Sequence, residues 1–140
     1  MERWVMFAIV SMVFAGFTSV IAKAGLSGIS GDLGLFVRTC FVFVFVLMFA
    51  GAFVNPQEFS QLTRKNYLWL GLSGLTTAFS WVFYYRALKA GEVSTVALID
   101  KGSFIVAVIL AWIFLGERIT PRVIVGMLLI GSGLLVVARK

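Results

Sequence analysis

Apolar residues follow one another along most of this chain in five long runs, which short polar connectors separate. Each run is about 20 residues long, the length that a helix needs to cross the hydrocarbon core of a bilayer at about 1.5 Å per residue. Such runs are too long for barrel strands, and a chain exposed to lipid must satisfy its own backbone hydrogen bonds. We therefore expect an all-α integral membrane protein with five transmembrane helices, at Val5–Ala22, Leu33–Val54, Tyr67–Tyr85, Val93–Leu115 and Ile119–Ala138.

The connectors carry residues that start and stop helices. After the first run, several glycines break the helix, and Asp32 is expected to cap the second one. After the second run, Asn55 and Pro56 predict a cap and a short turn on the membrane surface. Thr120 and Pro121 predict the N-cap and the first position of the fifth helix.

Composition excludes most other kinds of protein. Of the 140 residues, 61% are hydrophobic and 13% are charged, so that too little polar surface exists to cover a soluble fold. We interpret residues 1–140 as one transmembrane domain. The absence of His and the single Cys predict no metal site and no cofactor. The net charge of +6 is scattered over the segment ends, so no nucleic-acid surface is expected. No nucleophile, base and orienting group can be assembled, which argues against an enzyme.

Basic residues are divided equally between the two sides of the predicted bundle. One side holds Arg3, Arg64, Lys65, Arg118 and Arg122, and the other holds Lys23, Arg86, Lys89, Arg139 and Lys140. Because an excess of Lys and Arg normally fixes orientation, this balance predicts that the chain inserts both ways up. Two opposite copies would form an antiparallel homodimer equivalent to the inverted repeat of many transporters. Gly126 and Gly133, which share a face of the fifth segment, are the expected dimer contact. The alternative is an accidental balance in a protein with one orientation.

Small and hydroxyl-bearing side chains recur at helical spacing on one face of two segments. They include Ser11 and Thr18 in the first segment, and Ser73, Thr77 and Ser80 in the third. Two such stripes in one small chain favour a shared polar cavity. The competing interpretation is close helix packing, for which membrane bundles also use hydroxyl residues.

Aromatic residues accompany the stripe of the third segment. Trp81 and Tyr85 flank it and Tyr84 continues it. Trp81 and Tyr85 are candidates for the wall of a site for a planar or cationic ligand, although core or interfacial packing is the favoured explanation for each residue taken singly. The stretch that follows, from Arg86 to Glu92, is interpreted as a solvated loop.

Three charged residues lie inside the predicted spans, where an isolated charge costs roughly 3 kcal/mol or more. Arg38 is early in the second segment, and Asp100 and Lys101 are consecutive in the fourth, where Ser103 shares the face of Asp100. Adjacent helical residues do not face each other, so we expect Asp100 to pair with Arg38 or with a charge of a second copy. The charges form either a structural ion pair or a polar site whose partners change when substrate or a proton arrives.

Several motifs resemble one EamA-type repeat of the drug/metabolite transporter superfamily. They are FYYRAL at Phe83–Leu88, STVA at Ser94–Ala97, LGERIT at Leu115–Thr120 and the glycine-bearing last helix, and the resemblance spans nearly the whole chain. The sequence IDKGS at Ile99–Ser103 resembles a signature of the single-repeat, five-helix subgroup often called bacterial/archaeal transporters. Larger members carry two inverted repeats in tandem. The resemblance implies that this chain pairs with an antiparallel copy, in the inner (plasma) membrane of a prokaryote.

The chain departs from its subgroup at one position. Close single-repeat relatives often read APIDK where this chain reads ALIDK at Ala97–Lys101. The departure removes a proline that would weaken the helix, which argues against carrying a hinge over to this point.

Together these features predict a secondary transporter that exports or exchanges a small polar or zwitterionic metabolite by alternating access. Arg38, Asp100 and Lys101 are the expected residues for substrate binding or gating. The expected cavity lining is Ser11, Thr18, Ser73, Thr77, Ser80, Trp81, Tyr84 and Ser103. Expected partners are an inverted second copy, the lipid bilayer and the substrate, with protons as a candidate coupling ion. The alternatives are a non-transporting membrane subunit or scaffold and a small dual-topology channel.

Overall fold

The computed structural model describes residues 2–138, and this part of the chain is helical with short connectors. The helices are α1 (Arg3–Gly25), α2 (Gly31–Phe53), α3 (Arg64–Ala90), α4 (Val93–Asp100), α5 (Ser103–Leu115) and α6 (Pro121–Ala138), with a 3₁₀ helix at Pro56–Gln61. Each of the five predicted apolar segments is therefore mostly helical, and the all-α class is confirmed for the described residues. Arg139 and Lys140, which entered the charge balance, lie outside them.

Between residues 2 and 138, three helical stretches are long and apolar enough to cross a membrane: α1, α2 and Val93–Leu115, which comprises α4 and α5. The apolar part of α6, Pro121–Val137, is shorter. Helix α3 has 27 residues, but its hydroxyl stripe and the cations near its ends make it less apolar than the other long helices. A membrane protein with several spanning helices is thus confirmed, and the count of five crossings stays a prediction.

The predicted start signals of two helices are confirmed. The side chain of Asn55 caps the 3₁₀ helix, and the carboxylate of Glu58 accepts a hydrogen bond from the Asn55 backbone N–H at 3.3 Å. The Thr120 hydroxyl accepts a hydrogen bond from the Val123 N–H at 3.4 Å, and α6 begins at Pro121. These side chains satisfy backbone donors that a helix start leaves free.

The predicted cap of α2 is wrong. The Ser30 hydroxyl accepts the hydrogen bond of the Leu33 N–H at 3.2 Å, because the helix begins at Gly31. Asp32 therefore lies within the first turn, and its carboxylate is available to a different partner.

The described chain forms two compact units. One is Ala22–Ala90, and the other comprises the chain up to Ile21 together with the part from Gly91 onward. Within the first unit α2 packs against α3, and within the second α4 packs against α6.

The predicted fourth helix is interrupted at Lys101 and Gly102, between α4 and α5. The Gly102 N–H donates to the Ile99 carbonyl at 2.9 Å, and the Ile105 N–H donates to the Gly102 carbonyl at 3.0 Å. Both bonds span three residues, as in a 3₁₀ turn, whereas an α-helix spans four. A Cβ on Gly102 would lie 3.0 Å from the Ile99 carbonyl oxygen and 3.0 Å from the Leu134 side chain. The helix is therefore interrupted without a proline, at a tight turn that fits against α6.

Few side chains are buried within the described part of the chain. The buried apolar side chains are Leu26, Tyr85 and Leu88, all in the Ala22–Ala90 unit. Most large apolar side chains of the other helices are exposed on the single chain. Apolar surface of this extent must be covered by lipid or by other chains.

Candidate functional site

The side chain of Arg38, on α2, packs against two aromatic rings of α3. Its guanidinium carbon is 4.4 Å from the centroid of the Trp81 ring and 5.8 Å from that of the Tyr85 ring. Trp81 and Tyr85 are four residues apart on α3, so they share a face of that helix. Cation–π contacts of this kind stabilise a cation by about 0.5–2 kcal/mol, more as the site loses water. The aromatic wall proposed for a cationic ligand is thus occupied by the chain's own Arg38.

Two polar atoms of this cluster are buried without a hydrogen-bond partner in the described part of the chain. They are the Nη1 atom of Arg38 and the hydroxyl of Tyr85. Arg38 as a whole is half-buried, whereas Tyr85 is only 3% exposed. A buried donor without an acceptor costs about 1–3 kcal/mol, and more when it is charged. The cluster therefore holds hydrogen-bonding capacity that the single chain does not use.

The other predicted charges lie where the helix is interrupted. The Oδ2 atom of Asp100 is 4.0 Å from the Nζ atom of Lys101, and both side chains are well exposed. The expectation that these neighbours would not meet is therefore wrong in this structure, because α4 ends at Asp100 and the turn that follows lets the side chains approach. An exposed pair at this distance contributes little to stability. Pairing of Asp100 with Arg38 or with a second copy stays a prediction.

Several hydroxyls of the predicted stripes donate to their own helix. The Thr18 hydroxyl donates to the Phe14 carbonyl at 2.9 Å, and the Thr77 hydroxyl donates to the Ser73 carbonyl at 2.8 Å. Hydroxyls bonded in this way are satisfied without water or ligand. The two threonines therefore do not by themselves require a polar cavity.

The predicted lining residues are divided between the two units. Arg38 and Trp81 are in contact within Ala22–Ala90, and the same helix as Trp81 carries Ser73, Thr77, Ser80 and Tyr84. The other unit contains Ser11, Thr18, Asp100, Lys101 and Ser103. A cavity shared by both sets stays a prediction.

The glycines predicted at the dimer contact lie on α6. A Cβ added at Gly126 or at Gly133 would meet nothing within 4 Å. Their surface is thus open on the single chain, and its role in a dimer stays a prediction.

Two lysines that sequence reasoning placed only in connectors form a hydrogen-bonded cluster. The Lys23 ammonium donates to the Leu88 carbonyl at 2.6 Å and to the Lys89 carbonyl at 3.3 Å. The Lys89 ammonium donates to the Leu26 carbonyl at 2.9 Å. Lys23 thus satisfies two carbonyls in the last turn of α3, and Lys89 satisfies the carbonyl that directly follows α1. The helix dipole also favours a cation at both of these C-terminal ends. The positions of Lys23 and Lys89 in the last turns of α1 and α3 were the sequence signal that could have predicted these contacts.

Asp32 and Arg86 form a second contact that sequence reasoning missed. The Arg86 Nε atom donates to Asp32 Oδ1 at 2.9 Å, and its Nη2 atom donates to Oδ2 at 3.1 Å. This bidentate pair is exposed, and it forms because α2 begins close to α3: a Cβ on Gly31 would lie 2.8 Å from the Tyr85 carbonyl oxygen. The loop predicted to begin at Arg86 is also wrong, since α3 continues to Ala90.

Similarity to known proteins extends over both units. Residues 2–139 match the sequence profile of the EamA-like transporter family. The chain is 34% identical over 137 residues to a protein of Sinorhizobium sp. named "Uncharacterized transporter in cobO 3'region", with 98% of this chain and 97% of that protein covered. No solved structure matches the chain.

Proposed function

Because the chain belongs to the EamA-like transporter family, as its motifs indicated, we propose that it is a secondary transporter of a small polar or zwitterionic metabolite. Family membership and the name of the related protein support a membrane transporter and not an enzyme. The long apolar helices support a multi-pass integral membrane protein. The inner membrane of a prokaryote is the proposed location.

The transporter works as an antiparallel homodimer that exports or exchanges its substrate by alternating access. The equal division of basic residues between the two sides supports opposite insertion of two copies. Two inverted copies supply the inverted repeat that surrounds a substrate site near the middle of the membrane in many transporters. The open glycine face of α6 supports a close contact between helices.

The observation that carries this proposal is Arg38, a charge inside an apolar helix that is held by aromatic rings and has a buried unpartnered nitrogen. Ionisable residues inside membrane helices are costly and commonly mark a transport pathway. In the proposed cycle, Arg38 pairs with a substrate anion or with Asp100. Asp100 and Lys101 bind or gate the substrate at the interrupted helix, a feature that transporter substrate sites share, and protons are a candidate coupling ion.

Counterflow into proteoliposomes tests the proposal. Purified protein is reconstituted, the vesicles are loaded with a mixture of amino acids and small organic acids, and uptake of each labelled compound is measured. We expect saturable uptake that depends on the internal load, and a loss of at least about tenfold in Asp100→Asn, Lys101→Met and Arg38→Met. The matched control Glu117→Gln changes a charge outside the site and is expected to retain uptake.

Three results would contradict the proposal in different ways. Unchanged flux in both Asp100→Asn and Lys101→Met would reject the assigned site. Flux that needs no internal load and does not saturate would indicate a channel. An absence of flux, together with lower melting temperatures in these variants and no ligand that shifts the wild-type melting temperature, would indicate a scaffold.

A further inference from the structure

The buried polar atoms of the Arg38 cluster indicate the chemistry of a missing partner. Among the described residues, the buried side-chain atoms without a hydrogen bond are Arg38 Nη1 and the Tyr85 hydroxyl, and both belong to this cluster. A guanidinium only donates hydrogen bonds, and a phenol hydroxyl can also donate. Two unused donors beside one fixed positive charge match an acceptor that is itself negatively charged.

The carboxylates of the same unit have partners other than Arg38. The Ala22–Ala90 unit contains two, Asp32 and Glu58. Both oxygens of Asp32 accept hydrogen bonds from Arg86, and Glu58 accepts one from the backbone of Asn55. Among the described residues of this unit, the contacts found for the positive charge of Arg38 are the aromatic faces of Trp81 and Tyr85.

The aromatic contacts leave the N–H donors of the Arg38 guanidinium available to bind an anion. Trp81 at 4.4 Å contacts the guanidinium as a cation–π partner, and such a partner approaches the charged group without using its N–H donors. The planar edge of a guanidinium matches a carboxylate with two parallel hydrogen bonds. Only 3% of the Tyr85 surface is exposed, so an oxyanion bonded to its hydroxyl would be held out of water. Exclusion of water strengthens each charged hydrogen bond.

We propose, resting on the transporter function above, that Arg38 and the Tyr85 hydroxyl form the subsite for the carboxylate of the transported metabolite. The substrate class is thus a small carboxylic acid or amino acid. Arg38 Nη1 supplies the charged donor and the Tyr85 hydroxyl supplies a neutral one. Trp81 positions the guanidinium. A phosphate offers the same acceptor oxygens, and the experiment separates the two sources.

Binding is measured apart from flux, so that this inference and the proposed function fail separately. Purified protein in lipid nanodiscs is titrated calorimetrically with glycine, alanine and acetate, with glycinamide and methylamine as analogues that lack a carboxylate, and with inorganic phosphate. We expect the carboxylates to bind and the two amines to bind at least about tenfold more weakly, because they leave the buried donors unpaired. Tighter binding of phosphate than of every carboxylate would overturn the carboxylate assignment.

Variants then identify the donors. Tyr85→Phe removes only the hydroxyl, and we expect it to weaken carboxylate binding about tenfold while the protein stays folded. Arg38→Lys keeps the charge but loses the planar fork, and the same or a larger loss is expected. Tyr67→Phe is the matched control on the same helix, far from the cluster in sequence and exposed, and it should bind as the wild type does.

Equal carboxylate affinity in the wild type and Tyr85→Phe would overturn the inference. A second contradicting result would be a transported compound that lacks an oxyanion and whose flux does not change in Arg38→Lys. In that second case the transporter function stands and only the subsite is rejected. Carboxylate binding without flux would instead remove the transporter function on which the inference rests.

Discussion

At the scale of single residues, Gly31 determines how closely two helices meet. It is buried, and the backbone of Tyr85 and Arg86 occupies the space into which a side chain would project. Neither of these backbone groups can rotate away as a flexible side chain could. The contact between the start of α2 and the end of α3 therefore depends on the absence of a single carbon atom.

We predict that Gly31→Ala lowers the free energy of unfolding by about 1–3 kcal/mol, the usual cost of inserting a methyl group into filled space. The added Cβ would stand 2.8 Å from the Tyr85 carbonyl oxygen. Thermal unfolding in one fixed detergent measures the effect. Gly51→Ala is the control in the same helix, where a Cβ meets nothing within 4 Å and the stability should be unchanged or slightly higher. Equal melting temperatures for the two variants would show that the helices can separate at no cost.

Lys23 provides a second prediction at this scale. Its ammonium group donates to two carbonyls of α3 at 2.6 Å and 3.3 Å. Lys23→Met keeps the length of the side chain but leaves these carbonyls without their charged donor, and we expect a loss of about 1–2 kcal/mol of stability. Lys65→Met, an exposed lysine at the start of α3, is the control and should cost much less. The prediction fails if both lysines prove equally dispensable in thermal unfolding.

At the scale of helices, the interruption between α4 and α5 is the feature with the clearest mechanical cause. Gly102 is fixed between the Ile99 carbonyl on its own turn and the Leu134 side chain on α6. At this turn, hydrogen bonds that span three residues replace the four-residue hydrogen bonds of an α-helix. Helices α4 and α5 nevertheless remain in one apolar stretch.

A double-mutant cycle tests this cause. Gly102→Ala should lower the free energy of unfolding by about 1 kcal/mol, because both neighbours would lie 3.0 Å from the new Cβ. Leu134→Ala removes one of them, so the double variant should lose less stability than the sum of the single losses. Additive losses would show that Leu134 does not restrict the turn.

The sequence predicted where helices occur better than how they end and touch. Runs of apolar residues of membrane length placed all five segments, and Asn55 and Thr120 marked two helix starts correctly. The break at Lys101 was not predicted, because no proline or charge pattern announces a turn that depends on contact with α6. Similarly, nothing local reveals that Arg38 meets Trp81, since that contact depends on how α2 and α3 pack.

At the scale of the whole molecule, the charges at one end of the Ala22–Ala90 unit bear on the orientation in which the chain inserts into the membrane. Lys23 donates to the end of α3, Lys89 donates to the carbonyl that follows α1, and Arg86 of the same predicted side pairs with Asp32. The structure thus brings together the two connectors that the predicted five crossings would place on one side. It does so without giving that side more basic residues than the other.

We predict that the protein inserts in both orientations. In a Cys40→Ser background, Glu117→Cys should be labelled by a membrane-impermeant maleimide in roughly half of the molecules from each side of sealed vesicles. Removal of two cations from one side, with Arg118→Gln and Arg122→Gln, should shift the population toward a single orientation. Labelling from one side only in the parent protein would mean that the balance of charges is accidental.

The small number of buried side chains affects how the stability of this protein responds to its surroundings. With Leu26, Tyr85 and Leu88 as the apolar side chains that the described chain buries by itself, most of its hydrophobic contacts are made with molecules around it. The acyl chains of the surrounding amphiphile therefore act as part of the solvent-excluded interior, and their length enters the energetics of folding directly. A melting temperature of this protein belongs jointly to the polypeptide and to its lipid, and variants rank meaningfully only within one bilayer composition.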